Sequence, residues 1–350
     1  MKLKRIIAPL VTVGLLAAIF WKIDRTALGR AFSRADWTLF AAAMGLFIPQ
    51  IAAIAWRWRV LVSPFAPLSY GESARLVLAS NTLNLVLPSK AGDLTKGWFL
   101  ARGGTLDLPR AMGLVVFEKM LDVATLAAFM AGGAVALLAG FSPAPQGDDG
   151  GASVLAAARV ALAVGAAAVG AVATLYFVPP AMVPGRRALL AALARRPGLA
   201  KIGRLVENAT QVVELLQSRG AGRAGVVAWS VAIWFLHLGQ IWLFMAAVGV
   251  RASAGQFLSL APLAIFVGLI PISVAGFGPR DQAFLVFFAA WPKETVLAAA
   301  LFINLRYIVP AAAGLPFLRR YLAGRAGMDS SDSASTADSR RAAAPSRNAT

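Results

Sequence analysis

Two stretches of this chain, Val154–Val178 and Gly225–Val250, run for about the thickness of a membrane with almost no charge. A helix of about 20 mostly apolar residues crosses a hydrocarbon core of roughly 30 Å. A soluble fold hides such helices under a charged surface, and this chain lacks the residues for one. Only 14% of its 350 residues are charged, 59% are hydrophobic, and the mean hydropathy is +0.70. A soluble domain carries roughly 25% charge and is about 45–50% apolar. The expected fold class is therefore an all-α polytopic membrane protein.

Apolar periodicity and length predict six full spans, at 6–22, 37–56, 110–139, 153–178, 224–248 and 294–318. The first resembles a signal peptide, with Lys2, Lys4 and Arg5 ahead of Ile6 to Phe20, but no small-residue cleavage site follows, so an uncleaved span is expected. Trp21, Trp37, Trp56, Trp58, Trp229 and Trp291 fall near span ends, as in an interfacial aromatic belt. Basic loops orient the chain. Segment 179–223 is rich in Arg and the ends carry Lys2, Lys4, Arg5, Arg319, Arg320 and Arg325, which places that loop and both termini on the cytoplasmic side. Loop 140–152, with Asp148 and Asp149, is expected outside. Loop 22–36 breaks the rule, because it too is expected outside yet holds Lys22, Arg25, Arg30 and Arg34.

The net charge of +18 follows from loop basicity and contact with anionic headgroups, not from nucleic acid. There is no cysteine, hence no disulfide and no thiol chemistry. Segment 179–223 reads either as an interfacial amphipathic helix or as an ordinary connector. Residues 326–350, rich in Ser, Ala and Asp, are expected to form a disordered cytoplasmic tail beyond one transmembrane domain, 1–325.

Two regions do not fit a simple span. In 70–105 an apolar approach ends in Leu85-Val-Leu-Pro-Ser-Lys-Ala-Gly-Asp93. In 254–292 a similar approach ends in Leu269-Ile-Pro-Ile-Ser-Val-Ala-Gly-Phe-Gly278 and then Pro279-Arg280-Asp281. Pro88, Pro271 and the glycines break the helix, and the freed backbone groups must be buried in protein or line a wet cavity. Each region reads as a helix–break–helix hairpin. The loop charges make the first enter from inside and the second from outside, so the two oppositely oriented re-entrant hairpins form an inverted repeat. Against this stands the reading of two interfacial loops that share Pro and Gly by coincidence.

Charge inside a span marks function or a structural ion pair. Glu118 and Asp122 share a helical face at i and i+4, with Lys119 on another face; Arg306, Arg280 and Lys90 are candidate partners. The functional reading has these charges line a path for a polar headgroup; the structural one has them lock helices together. Arg280 and Asp281 start a half-helix whose free N–H groups suit phosphate, with Lys90 and Asp93 in the comparable place at the first break. Asp281 is alternatively a simple helix cap. Asn81 and Asn84 are better suited to satisfy freed backbone than to bind substrate. His237 and Gln240 fit helix–helix hydrogen bonding, and no metal site or cofactor is expected.

The tracts Asn84…Leu87-Pro88-x-x-x-Gly92-Asp93, Phe117-Glu118-Lys119-x-x-Asp122 and Pro271…Gly276-Phe277-Gly278-x-Arg280-Asp281 resemble the lysylphosphatidylglycerol synthase transmembrane-domain family, over about residues 5–325. Lys119 stands where that family usually has Arg, and Asp93 and Asp281 where it has Glu. The resemblance implies translocation of a lipid with a polar or phosphate-bearing headgroup, without an intrinsic ATPase, in a bacterial cytoplasmic membrane. Asn84, Lys90, Asp93, Glu118, Asp122, Arg280, Asp281 and Arg306 are the expected path residues. Implied partners are anionic phospholipid or glycolipid and a lipid-modifying enzyme or glycosyltransferase, with no nucleic acid. The soluble aminoacyl-transferring domain of longer relatives is not in this sequence, and no soluble catalytic motif occurs, so the chain is expected not to be an enzyme. The alternatives are a membrane-embedded transferase, or an accessory subunit, in polyprenyl-linked glycolipid assembly.

Overall fold

Short polar side chains decide where the helices of this computed structural model begin. It describes residues 24–87, 91–142, 148–177, 223–269 and 276–342, together with Trp21, Arg195 and Glu207. Asp24 accepts from the N–H groups of Thr26 and Ala27 at 2.8 and 3.2 Å and opens α1 (Arg25–Ser33). Asp36 does the same for α2 (Trp37–Gly45). Ser69 caps α4 (Tyr70–Val86), Asp107 caps α6 (Leu108–Leu138) and Ser253 caps α9 (Ala254–Gly268). Such caps satisfy N–H groups that have no partner within the helix.

The remaining helices are α3 (Phe47–Val62), α5 (Leu94–Arg102), α7 (Asp148–Phe177), α8 (Arg223–Ala247), α10 (Pro279–Phe287) and α11 (Lys293–Ala342). Among the described residues five helical stretches are long and apolar enough to cross a membrane: Trp37–Val62, Leu108–Leu138, Ala152–Thr174, Gly225–Ala247 and Lys293–Leu322. They match five of the six expected spans. The other, 6–22, lies outside the described residues, as do almost all of 179–223 and the tips Pro88–Lys90 and 270–275. From 326 the backbone continues as helix to Ala342. The anomalous basic loop contains α1, which buries Leu28 and exposes Arg25 and Arg30, while its two acids serve as caps.

The Trp37–Val62 stretch turns at Leu46, between α2 and α3. Pro49 follows, and its missing N–H removes the bond that Gly45 would have accepted. Both expected breaks are present as interruptions. In the first, between α4 and α5, a 3-10 turn at Ala91–Asp93 leads into α5, and the second separates α9 from α10. Gly92 lets the first break fold back on α4, since a Cβ there would sit 2.3 Å from the Asn84 backbone nitrogen. Gly276 and Gly278 hold φ of 78° and 90°, which side-chain-bearing residues rarely adopt.

Packing divides the apolar interior in two. One core joins α3, α4, α5 and the first half of α6 through Trp58, Leu61, Leu76, Leu100, Leu114 and Phe117. The other joins α1, α2 and the second half of α6 with α7 to α11 through Leu28, Ala43, Met130, Phe244, Phe257 and Ile303. Close seams are made by small residues, as expected where lipid gives helices no hydrophobic reason to associate. A Cβ on Gly133 would lie 2.5 Å from the backbone carbon of Leu258, and one on Gly314 only 2.0 Å from the Leu78 carbonyl oxygen.

Candidate functional site

On α3 the positions Gln50, Ala53, Arg57 and Leu61 fall on one helical face, and all four are buried. Arg57 is thereby carried into the protein beside α6. Its guanidinium reaches Glu118 at 3.1 Å and Asp122 at 2.7 Å, and donates to the Ser230 hydroxyl on α8 at 3.0 Å. Glu118 also pairs with the Lys96 ammonium from α5. Lys119 bridges Asp93, at 2.7 Å, and Asp122, at 3.0 Å. Three cations and three carboxylates thus interlock across α3, the first break, α5 and α6. Arg57, Lys96 and Glu118 are each about 2% exposed or less. Isolated charges at this depth would be prohibitively costly; paired ones are tolerated.

Two further contacts complete the first break. Asn84 donates to Asp93 at 3.0 Å and accepts from the Asp93 backbone N–H at 3.1 Å, so it satisfies backbone freed by the break, as expected. The Lys96 ammonium stands 4.6 Å from the Trp58 ring centroid. Trp58, expected in an interfacial belt, is fully buried, because it serves this cation and the core around it. Lys119, expected on a face apart from its acidic neighbours, reaches both Asp93 and Asp122 because its long stem swings across the helix surface.

This network forms part of the wall of a cavity of about 150 Å³, room for about five waters. Gln50, Asn81, Trp234 and His237 also face it, as do Arg306 and Tyr307. Arg306 is 9% exposed and sits mid-span in α11. It was expected to meet Glu118 or Asp122. It meets instead the His237 ring nitrogen Nδ1, at 2.8 Å, and its other terminal nitrogen is buried with no hydrogen-bond partner among the described residues. Gln240 joins helices by donating to the Ala43 carbonyl at 2.8 Å and accepting from Gln50 at 3.1 Å, the helix–helix role expected of it.

The second break is built differently. Arg280 and Asp281 are 2% and 1% exposed and do not line the cavity. Asp281 accepts from the Gly278 N–H at 3.1 Å, pairs with Arg280 at 3.2 Å, and accepts from the Asn304 side-chain amide at 3.3 Å. Arg280 donates in turn to the Asn304 side-chain oxygen and lies 4.9 Å from the Tyr307 ring centroid. Of the expected residues, Asn84, Asp93, Glu118, Asp122 and Arg306 face one cavity, Arg280 and Asp281 form a separate buried knot, and Lys90 lies outside the described residues. Arg57, Ser230 and Asn304 were not anticipated. The buried stripe on α3 is the signal that marks Arg57 as inward.

A family model described as "Lysylphosphatidylglycerol synthase TM region" matches residues 5–314. Among curated proteins, glycosyltransferase AglD of Haloferax volcanii is 26% identical over 317 residues, covering 83% of this chain and 49% of that protein. The chain thus spans about half the length of the curated relative it matches. These findings correct the expectation that the chain is not an enzyme: a relative named as a glycosyltransferase and a family named for a synthase point toward enzymatic chemistry. That expectation leaned on the absence of soluble catalytic motifs, a test blind to charged side chains gathered inside a membrane.

Proposed function

Since the chain belongs to the lysylphosphatidylglycerol synthase TM region family, we propose that it holds a phosphate-bearing lipid headgroup in this intramembrane cavity and passes the lipid between leaflets. The supporting observation is the charge of the wall. Among the described residues four cations, Arg57, Lys96, Lys119 and Arg306, line it with three carboxylates, Asp93, Glu118 and Asp122. Six of these charges neutralise one another. Arg306 leans on a neutral-type acceptor and keeps a buried N–H donor without a partner among the described residues. A guanidinium so placed suits the paired oxygens of a phosphate. Two helix breaks, one beside the cavity and one against the far core, fit oppositely oriented hairpins that open toward either leaflet in turn. In this reading Lys119 and Arg306 touch the headgroup, while Arg280 and Asp281 hold the second break in shape.

The name of the curated relative favours a second reading, in which the same bound headgroup takes part in a transfer reaction of glycolipid assembly. Both readings meet one experiment. The purified protein is placed in liposomes with fluorescent phosphatidylglycerol, its aminoacylated form, or a polyprenyl-linked sugar. Leaflet exchange above protein-free liposomes, lost in Arg306→Gln, supports translocation through this cavity. Exchange at the protein-free rate for every lipid, from protein shown to be folded, overturns it. A covalently altered lipid recovered from the same vesicles carries the second reading instead.

A further inference from the structure

A second cavity, of about 440 Å³, lies between α6, α7 and α8. Its lining is nearly all aliphatic and small, including Leu121, Ala128, Gly132, Val172, Val227 and Val231. The volume is that of a ligand site rather than a packing defect. Gly132 leaves this part of the wall without a side chain. A glycine inside a helix is unfavourable by about 1 kcal/mol relative to alanine, and close packing repays that at Gly133, against Leu258. Gly132 has no such neighbour, since a Cβ built there meets nothing within 4 Å. The wall beside it stays partly bare, with Val231 44% exposed.

The two cavities share two helices on adjoining faces. On α6 the charged cavity takes Glu118, Lys119 and Asp122, and the aliphatic one starts at Leu121 and runs toward Gly132. On α8 the charged cavity takes Ile233, Trp234 and His237, and the aliphatic one takes Val227 and Val231. At the level where they meet, Arg57 ties α6 to α8 through Asp122 and Ser230. A charged chamber beside a greasy slot has the polarity of an amphiphile. Resting on the headgroup reading above, we propose that the slot seats one hydrocarbon chain of the same lipid whose phosphate engages the charged cavity, rather than a bulk lipid passing by. The slot would then select for chain length and bulk, independently of headgroup.

The test uses phosphatidylglycerol carrying a diazirine near the end of one acyl chain, in phosphatidylglycerol vesicles holding the full-length protein. After illumination, cross-linked peptides are mapped by mass spectrometry. Expected are adducts concentrated in 121–133 and 227–231. They fall to background in Gly132→Leu and, from the facing wall, Val231→Phe. They persist in Gly170→Leu, an equally roomy glycine outside the slot. A Cβ at Gly132 enters open space, folding of each variant is checked by its unfolding temperature, and Val231→Phe supplies a second variant. Adducts spread evenly over the lipid-facing helices, or unchanged in both slot variants, overturn the proposal. Leaflet exchange of the same probe separates it from the headgroup reading. Exchange without slot adducts removes the slot and keeps translocation; slot adducts without exchange do the reverse.

Discussion

The two helix breaks carry related sequences and end in different chemistry. At the first, Asp93 turns outward to Lys119 and Asn84, and the charges it joins border a cavity. At the second, Asp281 turns back onto its own helix start, and Arg280, Asp281 and Asn304 close on one another. The difference comes from what faces each break. The first meets α6 at Glu118, Lys119 and Asp122, so its charges find distributed partners on a long helix. The second meets α11 at Asn304 and Tyr307, which supply one amide and one aromatic face. A Pro–Gly interruption frees backbone alike in both places; the neighbouring helix decides whether the result is a working surface or a strut.

Removing charge from either knot tests that contrast. Glu118→Ala takes from Lys96 its carboxylate and leaves Arg57 to Asp122 and Ser230 alone, and the loss of one member of a buried pair costs about 3–5 kcal/mol. This is the largest expected effect, read as a fall in thermal unfolding temperature in detergent. An unchanged unfolding temperature would mean that the network does not hold the first half together. Asp281→Asn comes next, in the lower part of that range, because Asn304 still accepts from Arg280; its loss of stability should accompany any loss of exchange in proportion.

Arg306→Gln should part function from stability. The variant removes a buried charge that has no carboxylate partner among the described residues, so unfolding temperature is held or raised. Lipid exchange falls by about tenfold or more, the worth of one hydrogen bond to a charged group, about 1.5–3 kcal/mol. Equal losses in both measurements would make Arg306 a strut like Arg280. The smallest effect belongs to Lys119→Arg. It keeps the charge and can still reach Asp93 and Asp122, so stability shifts by less than about 1 kcal/mol, read by the same unfolding measurement. A larger loss would show that the compact ammonium, rather than the charge, fits between the two acids.

Much of this was legible in the residues themselves. Long apolar runs matched five described spans, most edges falling within a few residues and the second running on to Val62, because a helix of that length and composition suits a hydrocarbon core. The breaks were legible for the same reason, from Pro and Gly between apolar runs. The partners of Glu118 and Asp122 were not. In Trp56-Arg57-Trp58-Arg59 both arginines fall just past the expected span end at 56. Only rotation about α3, set by packing of Ala53 and Leu61, turns Arg57 inward. Arg306 was rightly noticed as deep and wrongly paired, since sequence spacing says nothing of which helices stand side by side. Asn304 carried no charge to draw notice, and its importance comes wholly from facing Arg280.

The seam at Gly314 constrains how such a molecule can move. With the last span's backbone pressed on the Leu78 carbonyl and Thr82 donating to the Ala311 carbonyl at 2.7 Å, α4 and α11 are meshed like fixed gears. Sliding or rolling one over the other would drive backbone into backbone. Any opening of the cavity must therefore pivot elsewhere. The turn at Leu46, where one crossing is already divided between the two cores, is the seat left free for a hinge.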